Sequence, residues 1–109
     1  MDEKFMMVLT TVGSEKHAEK ISKELVNKEL AACVQVLGPM KSTYKWKEEL
    51  QVDKEWMCFI KSRKDIFEEL QNKIKSLHPY ENPEIISFDI SHGSKEYLSW
   101  VDENTKCFN

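Results

Sequence analysis

Glycine and proline are scarce, with three of each in 109 residues, and arginine occurs once, as Arg63. Gly13, Gly38 and Gly93 stand far apart, so neither a P-loop nor a G-x-G-x-x-G phosphate cradle is available. H-E-x-x-H and G-x-S-x-G are also absent, which removes the zincin and hydrolase-elbow readings. Cys33, Cys58 and Cys107 are odd in number and contain no C-x-x-C, which argues against a zinc ribbon or a thioredoxin-type motif. They are expected to be free thiols, with Cys33 and Cys58 packed as small hydrophobes. No apolar run approaches the roughly 20 residues of a membrane helix. The formal charge is −3 with both signs interleaved, so no basic stripe for nucleic acid exists. The opening MDEKFMMVLTTV has no basic region ahead of an apolar core and no small-residue cleavage site. A cytoplasmic protein without nucleic-acid or membrane partners is expected.

What is present suits one domain, 1–109: hydrophobic residues are 40% and charged residues 32%. The dominant stretch runs from Ala31 to Ser62, with two strand-like halves meeting at Lys47-Glu48-Glu49. Ala32, Val34, Val36, Met40, Tyr44 and Trp46 share one parity, as do Leu50, Val52, Trp56, Cys58 and Ile60. Alternation places each set on one side of a hairpin, and an odd-numbered loop unites the two sets on one face. A one-residue slip sets Tyr44 and Trp46 opposite polar neighbours. Gly38-Pro39 predicts a bulge or bend in the first arm. Arms of about 13–15 residues span roughly 45 Å, against a radius of gyration near 13 Å for about 100 residues. The hairpin should therefore overhang its globule, and its apolar groups mark an association surface.

The rest of the chain supplies a continuous apolar strand, Phe5 to Val12, expected at a central position. Ser14 caps a helix carrying Ala18, Ile21 and Leu25. Ser62 is expected to cap a second helix, with Asp65 near its positive end and Ile66, Leu70, Ile74 and Leu77 along its apolar face, and Pro79 stops it. A strand over Glu84–Ile90 and a short helix capped by Ser94 follow. This order, β-α-β-β-α-β plus a C-terminal helix, predicts an α+β ferredoxin-like sandwich with both main helices on one sheet face. The bare opposite face and the long hairpin together predict self-association. Acylphosphatases, one enzyme class on this fold, need an arginine in the first loop, and Thr10–Ser14 contains none.

The densest polar cluster is LHPYENPEII, Leu77 to Ile86, held extended by Pro79 and Pro83. It presents His78, Tyr80, Glu81 and Glu84, either as a stiff connector or as a ligand or metal pocket. His78 is a metal-ligand candidate or a cation at the helix end. Lys61, closing an apolar strand, is placed to pair with Glu84 or to bind an anion. Trp56 and Trp100 read first as packing aromatics. His17 and His92 read as solvated and turn residues. No nucleophile–base pair is apparent, so a non-enzymatic role is expected.

HPYENPEII followed by SHGSKEYLSWV closely resembles the CutA (CutA1, divalent-cation tolerance) family. Ala31-Ala32-Cys33-Val34, Ser42-Thr43-Tyr44-Lys45-Trp46 and Lys61-Ser62 match its other motifs in order, from Met7 to Val101. The resemblance implies a ferredoxin-like subunit, a homotrimer built on the long hairpin, and an architecture like that of the trimeric PII signalling proteins. It implies a link to copper and divalent-cation tolerance. Together with the polar loop this leads to an expected ligand or metal site in inter-subunit clefts, with Lys61, Tyr80, Glu81, Glu84 and Trp100 as candidate binding residues. Some relatives offer a cysteine and a second histidine where this chain has Thr10 and Leu77. Of those donors only His78 remains, so copper or another divalent cation is expected to bind weakly. Many relatives also have a glycine in the hairpin turn where this chain has Glu48.

Overall fold

The computed structural model describes residues 4–107. Strand β1 (Phe5–Val12) leads into helix α1 (Glu15–Asn27), and the hairpin follows as β2 (Cys33–Trp46) and β3 (Glu49–Arg63). Helix α2 (Phe67–Leu77), strand β4 (Ile86–Asp89) and helix α3 (Lys95–Glu103) complete the order. The sheet runs β2-β3-β1-β4 with every neighbouring pair antiparallel, which is the ferredoxin-like α+β arrangement. β1 is central, as its apolar run requires.

Helices α1 and α2 cover one face. Met6, Val8 and Val12 meet Ile21 and Leu25 from α1, Cys58 and Ile60 from β3, and Leu70 and Ile74 from α2. Ser14 starts α1 by accepting from the His17 N–H at 3.1 Å. At the other end Glu29 has φ 59°, and Leu30 N–H reaches back to the Leu25 carbonyl at 2.9 Å. That is a Schellman closure, with Leu25 and Leu30 both buried. The opposite sheet face is open over much of its area. Helix α3 covers one end of it, where Phe5, Ala32 and Val101 pack together with Ile90 and Leu98. Ser94 caps α3 as expected, accepting from Tyr97 N–H.

Four boundaries differ from the sequence reading. Ser62 does not cap α2: it lies buried in β3 and donates to the Leu30 carbonyl at 2.7 Å. The chain instead enters α2 through a 3-10 turn, Lys64–Ile66, and the cap position Ile66 has no side-chain bond to offer. Asp65 serves Arg63, accepting from its Nε at 3.0 Å. β4 is shorter than Glu84–Ile90, because Pro83 and the preceding loop delay pairing until Ile86 meets Leu9. The sheet face opposite α1 and α2 is not wholly bare, since α3 takes one end.

The fourth difference concerns the hairpin. Its loop has two residues, not an odd number: Trp46 pairs with Glu49, and Lys47 and Glu48 form the turn with φ 52° and 68°. Two left-handed central residues give the turn whose twist suits a two-residue hairpin. The register also shifts between Leu37 and Met40, at Gly38-Pro39, so the expected bulge is present. Below it Val34 and Val36 oppose Ile60 and Cys58. Above it Tyr44 opposes Gln51 and Trp46 opposes Glu49. The even residues of β2 therefore change face at the bulge, while those of β3 do not. Tyr44 and Trp46 lie on the open face, and Leu50 and Val52 lie on the reverse. The overhang is real in the subunit, whose long dimension is 44 Å against 25 and 22 Å.

Candidate ligand-binding groove

The loop after α2 is positioned by His78. Pro79 keeps the preceding residue extended, and His78 has φ −82° and ψ 135°. The buried His78 ring then ties two backbones together. Its Nδ1 accepts from the Tyr80 N–H at 3.1 Å, so Nε2 carries the proton and donates to the Thr11 carbonyl at 2.7 Å. Burial lowers its pKa from 6.5 most strongly, and nearby His17 adds to this, against the Thr11 bond and the charge of Glu55. The ring is held as a neutral imidazole with both nitrogens committed.

That bracing aims Tyr80 across the sheet. Its hydroxyl donates to Glu55 Oε2 at 2.8 Å, with Gly13 beneath it: a Cβ on Gly13 lies only 3.2 Å from the Tyr80 oxygen. Burial and then the Glu55 bond raise the Tyr80 pKa. Two residues along the same face of β3, Asp53 accepts from the Tyr44 hydroxyl, and this bond raises the Tyr44 pKa. Between hairpin and loop lies an open groove of about 710 Å³. Tyr44, Trp46 and Tyr80 wall it, with Asp53 and Glu55 beneath and Glu81 and Glu84 on the loop side.

The structure thus brings Tyr80, Glu81 and Glu84 to one groove and leaves Lys61 and Trp100 elsewhere in the subunit. Lys61 lies six residues from Glu55 on β3, roughly 20 Å along the strand. It donates to Gln35 Oε1 at 2.7 Å and stands 5.8 Å from the Tyr97 ring centre, not beside Glu84. Trp100 is half exposed on α3, 5.7 Å from Tyr97. Trp56 packs against the core, where the absence of a side chain at Gly38 admits its ring. His17 and His92 are exposed beside Ser14 and Ser91.

For metal, His78 must give up one of its two backbone bonds before a ring nitrogen is free. Among the described residues no group of three or more His, Cys, Asp or Glu side chains is arranged to hold an ion. Thr10 points into the core opposite Cys58, and its hydroxyl has no partner among the described residues. Burial pushes the Cys58 thiol up to about 11, opposed by a hydrogen bond from Ser22. Cys33, only half-buried, lies 3.6 Å from the Tyr97 hydroxyl, whose pKa burial and that contact raise to about 12.

Sequence reasoning missed Asp53 and Glu55. They stood among the charges of an exposed-looking strand: Glu55 is met by Tyr80 from the distant loop, and the bulge in β2 brings Tyr44 to Asp53. It also missed Arg63, whose buried guanidinium holds the tail by donating to the Thr105 hydroxyl at 2.8 Å. A lone arginine closing a strand was the available signal.

Fold and groove define a ferredoxin-like α+β subunit with an overlong hairpin and a ligand-sized recess. The profile of the CutA1 divalent ion tolerance protein family matches residues 6–104, and the chain belongs to that family. The chain is 42% identical over 99 residues to the divalent-cation tolerance protein CutA of Thermus thermophilus, covering 91% of this chain and 96% of that one. It is 39% identical over 101 residues to the Pyrococcus horikoshii protein of the same name, covering 93% and 98%. The solved structure of the Thermus thermophilus divalent cation tolerance protein superposes with a TM-score of 0.91 at 41% identity, over 94% of this chain and 99% of that one.

Proposed function

We propose that this protein is a non-enzymatic homotrimer of the cytoplasm that binds a small ligand or a divalent cation in clefts between subunits, in the response to metal ions such as copper. The observation that carries the reading is the two-sided hairpin. Trp46 is 44% exposed on one face, and Leu50 and Val52 are 68% and 56% exposed on the other. A two-fold dimer buries one patch against its own copy, whereas a closed ring of three sets each hairpin between two neighbours. Large apolar groups on both faces of a ribbon favour the second arrangement. Unpaired thiols at Cys33, Cys58 and Cys107 suit a reducing compartment.

The expected mass in solution at micromolar concentration is three times the 12.9 kDa of the chain. Light scattering measures it, and a monomer or dimer mass overturns the assembly. Trp46→Asp and Leu50→Asp, one on each face, should each weaken the trimer, because each puts an unpaired charge into an apolar contact. Copper binding should be weak, with Kd micromolar or poorer, worth about 8 kcal/mol or less. His78→Ala should remove most of it and leave the trimer intact. Calorimetry in a competing buffer checks this, and nanomolar affinity, or affinity indifferent to His78→Ala, overturns that placement.

A further inference from the structure

We infer that α3 and the tail to Lys106 form a strap over one end of the open sheet face. The strap opens and unfolds as a unit while the rest of the subunit stays folded, and Arg63 is the latch that closes it.

The first observation is how little seats α3. The main core lies on the other face of the sheet, under α1 and α2. On the open face the buried apolar cluster is Phe5, Ala32 and Val101, and Val101 is the single residue that α3 buries. Elements with few buried apolar contacts open first as the native state fluctuates. Nor does α3 hold its shape alone. It has nine residues, short of the roughly 12–15 at which an isolated helix becomes even marginal in water. Its last turn carries Asp102 and Glu103 and no basic residue, against the negative end of its own dipole. Leaving the sheet therefore means unfolding.

The second observation is where the missing positive charge comes from. Arg63 closes β3 opposite Phe5 and is 5% exposed. Its guanidinium donates to the Thr105 hydroxyl at 2.8 Å and to the Thr105 carbonyl at 3.3 Å, and its Nε stands 3.7 Å from Asp102. Lys4, just ahead of β1, holds the other Asp102 oxygen at 3.1 Å. The Thr105 hydroxyl in turn donates to the Val101 carbonyl at 3.0 Å, inside the last turn. Docking on Arg63 thus completes the helix end. The third observation is Asp65, which accepts from Arg63 Nε at 3.0 Å and from its terminal nitrogen at 3.2 Å. Those two bonds do not involve α3. They keep the guanidinium paired and oriented when the strap is away, so opening strands no buried charge. Beyond Thr105, Lys106 N–H donates to the Glu29 carbonyl at 2.8 Å, and its ammonium makes an exposed pair with Glu69 that holds weakly. Opening lifts Tyr97 from Cys33 and Lys61, which face each other across β2 and β3.

Hydrogen exchange read by mass spectrometry on the assembled full-length protein tests the strap. Peptides spanning 95–106 should exchange at least tenfold faster than those spanning 15–27 and 67–77. Arg63→Met should speed exchange in 95–106 at least tenfold further and leave 15–27 and 67–77 unchanged. Arg63→Lys keeps a charge near the helix end and loses the fork, so its rate should fall between wild type and Arg63→Met. Asp102→Asn leaves Arg63 and its Asp65 bonds in place and should also speed exchange in 95–106 alone, which keeps the test open if Arg63→Met fails to fold. Wild-type protection in 95–106 equal to that in 15–27 overturns the strap. Variants that speed all three regions by the same factor overturn separate opening, and variants that leave 95–106 at the wild-type rate overturn the latch.

Discussion

The base and the tip of the hairpin are made of the same two strands, yet they behave as different materials. At the base, Cys58 and Ile60 are fully enclosed under α1 and α2. At the tip, Leu50 and Val52 occupy the same parity on the same strand and are mostly exposed. The amino-acid pattern is similar in both, so pattern alone does not tell a packed strand from one awaiting cover. What separates them is reach, because the helices end and the hairpin continues. The comparison also separates the strands. β3 keeps its alternation from end to end, while β2 changes face at Gly38-Pro39. One extra residue moves Tyr44 and Trp46 from the helix side to the groove side. The same shift brings Tyr44 to Asp53, beside the Glu55 that Tyr80 reaches from the loop.

The sharpest way to break this contrast is to truncate one residue of each kind. Ile60→Ala removes a fully buried side chain and should cost about 2–5 kcal/mol in denaturant unfolding, with no dependence on protein concentration. Val52→Ala, at the tip, should cost only as much as a second subunit's cover supplies, so its effect should shrink on dilution. Equal losses that ignore concentration show that base and tip are one core.

The next largest effect falls on the bulge. A Cβ at Gly38 lies 2.5 Å from Trp56 Cδ1 and 3.0 Å from the Glu55 carbonyl. The ring can shift slightly and the backbone oxygen hardly at all, so Gly38→Ala should destabilise by about 1–3 kcal/mol. A melting temperature matching wild type removes close packing as the reason for glycine there.

His78 sharpens the comparison on the groove side. Its pKa in the folded protein lies below the ordinary 6.5, chiefly through burial. The unfolded chain therefore takes up the proton first as the pH falls. The stability that His78 contributes is complete above about pH 6.5 and declines below it. Protonating Nδ1 also turns the acceptor of the Tyr80 N–H into a donor and loosens the loop. Urea unfolding at pH 8 and pH 5.5 should show the gap between wild type and His78→Gln narrowing at the lower pH. A gap that widens in acid reverses the sign.

Much of this was legible in the sequence because the elements that form the core repeat at short range. Ala18, Ile21 and Leu25 mark α1 by their spacing, and the Phe5–Val12 run marks a central strand. Ser14 and Ser94 cap helices because their oxygens reach an N–H three residues on, which is a local matter. Ser62 resembled a cap for the same reason, but its hydroxyl found Leu30, a partner 32 residues away that no local pattern contains. The groove was half legible. Tyr80, Glu81 and Glu84 sit together in the sequence between two prolines. Glu55 joins them because Tyr80 meets it from the loop, and Asp53 joins through Tyr44, whose register depends on a bulge and on a loop of even length. Lys61 and Trp100 lie outside the groove of their own subunit, Lys61 about six residues along β3 from Glu55.

The smallest effect tests the turn that fixes the tip's register. Lys47 and Glu48 both have positive φ, a conformation that costs a residue with a Cβ about 1–2 kcal/mol relative to glycine. Lys47 recovers part of this by standing 5.9 Å from the centre of the Trp46 ring, where a cation is attracted. Glu48 is exposed and has no bonding partner among the described residues, so it is the better place to relieve strain. Glycine at position 48 also loses more freedom on folding, which returns about 0.5–1 kcal/mol of the gain. Glu48→Gly should therefore stabilise by only about 0.5–1 kcal/mol, while Lys47→Gly should gain less because it forfeits the ring contact. Denaturant midpoints of the two variants, measured with wild type at one protein concentration, decide it. If Lys47→Gly is the more stable of the two, the tryptophan contact adds nothing and the strain lies at the first turn position instead.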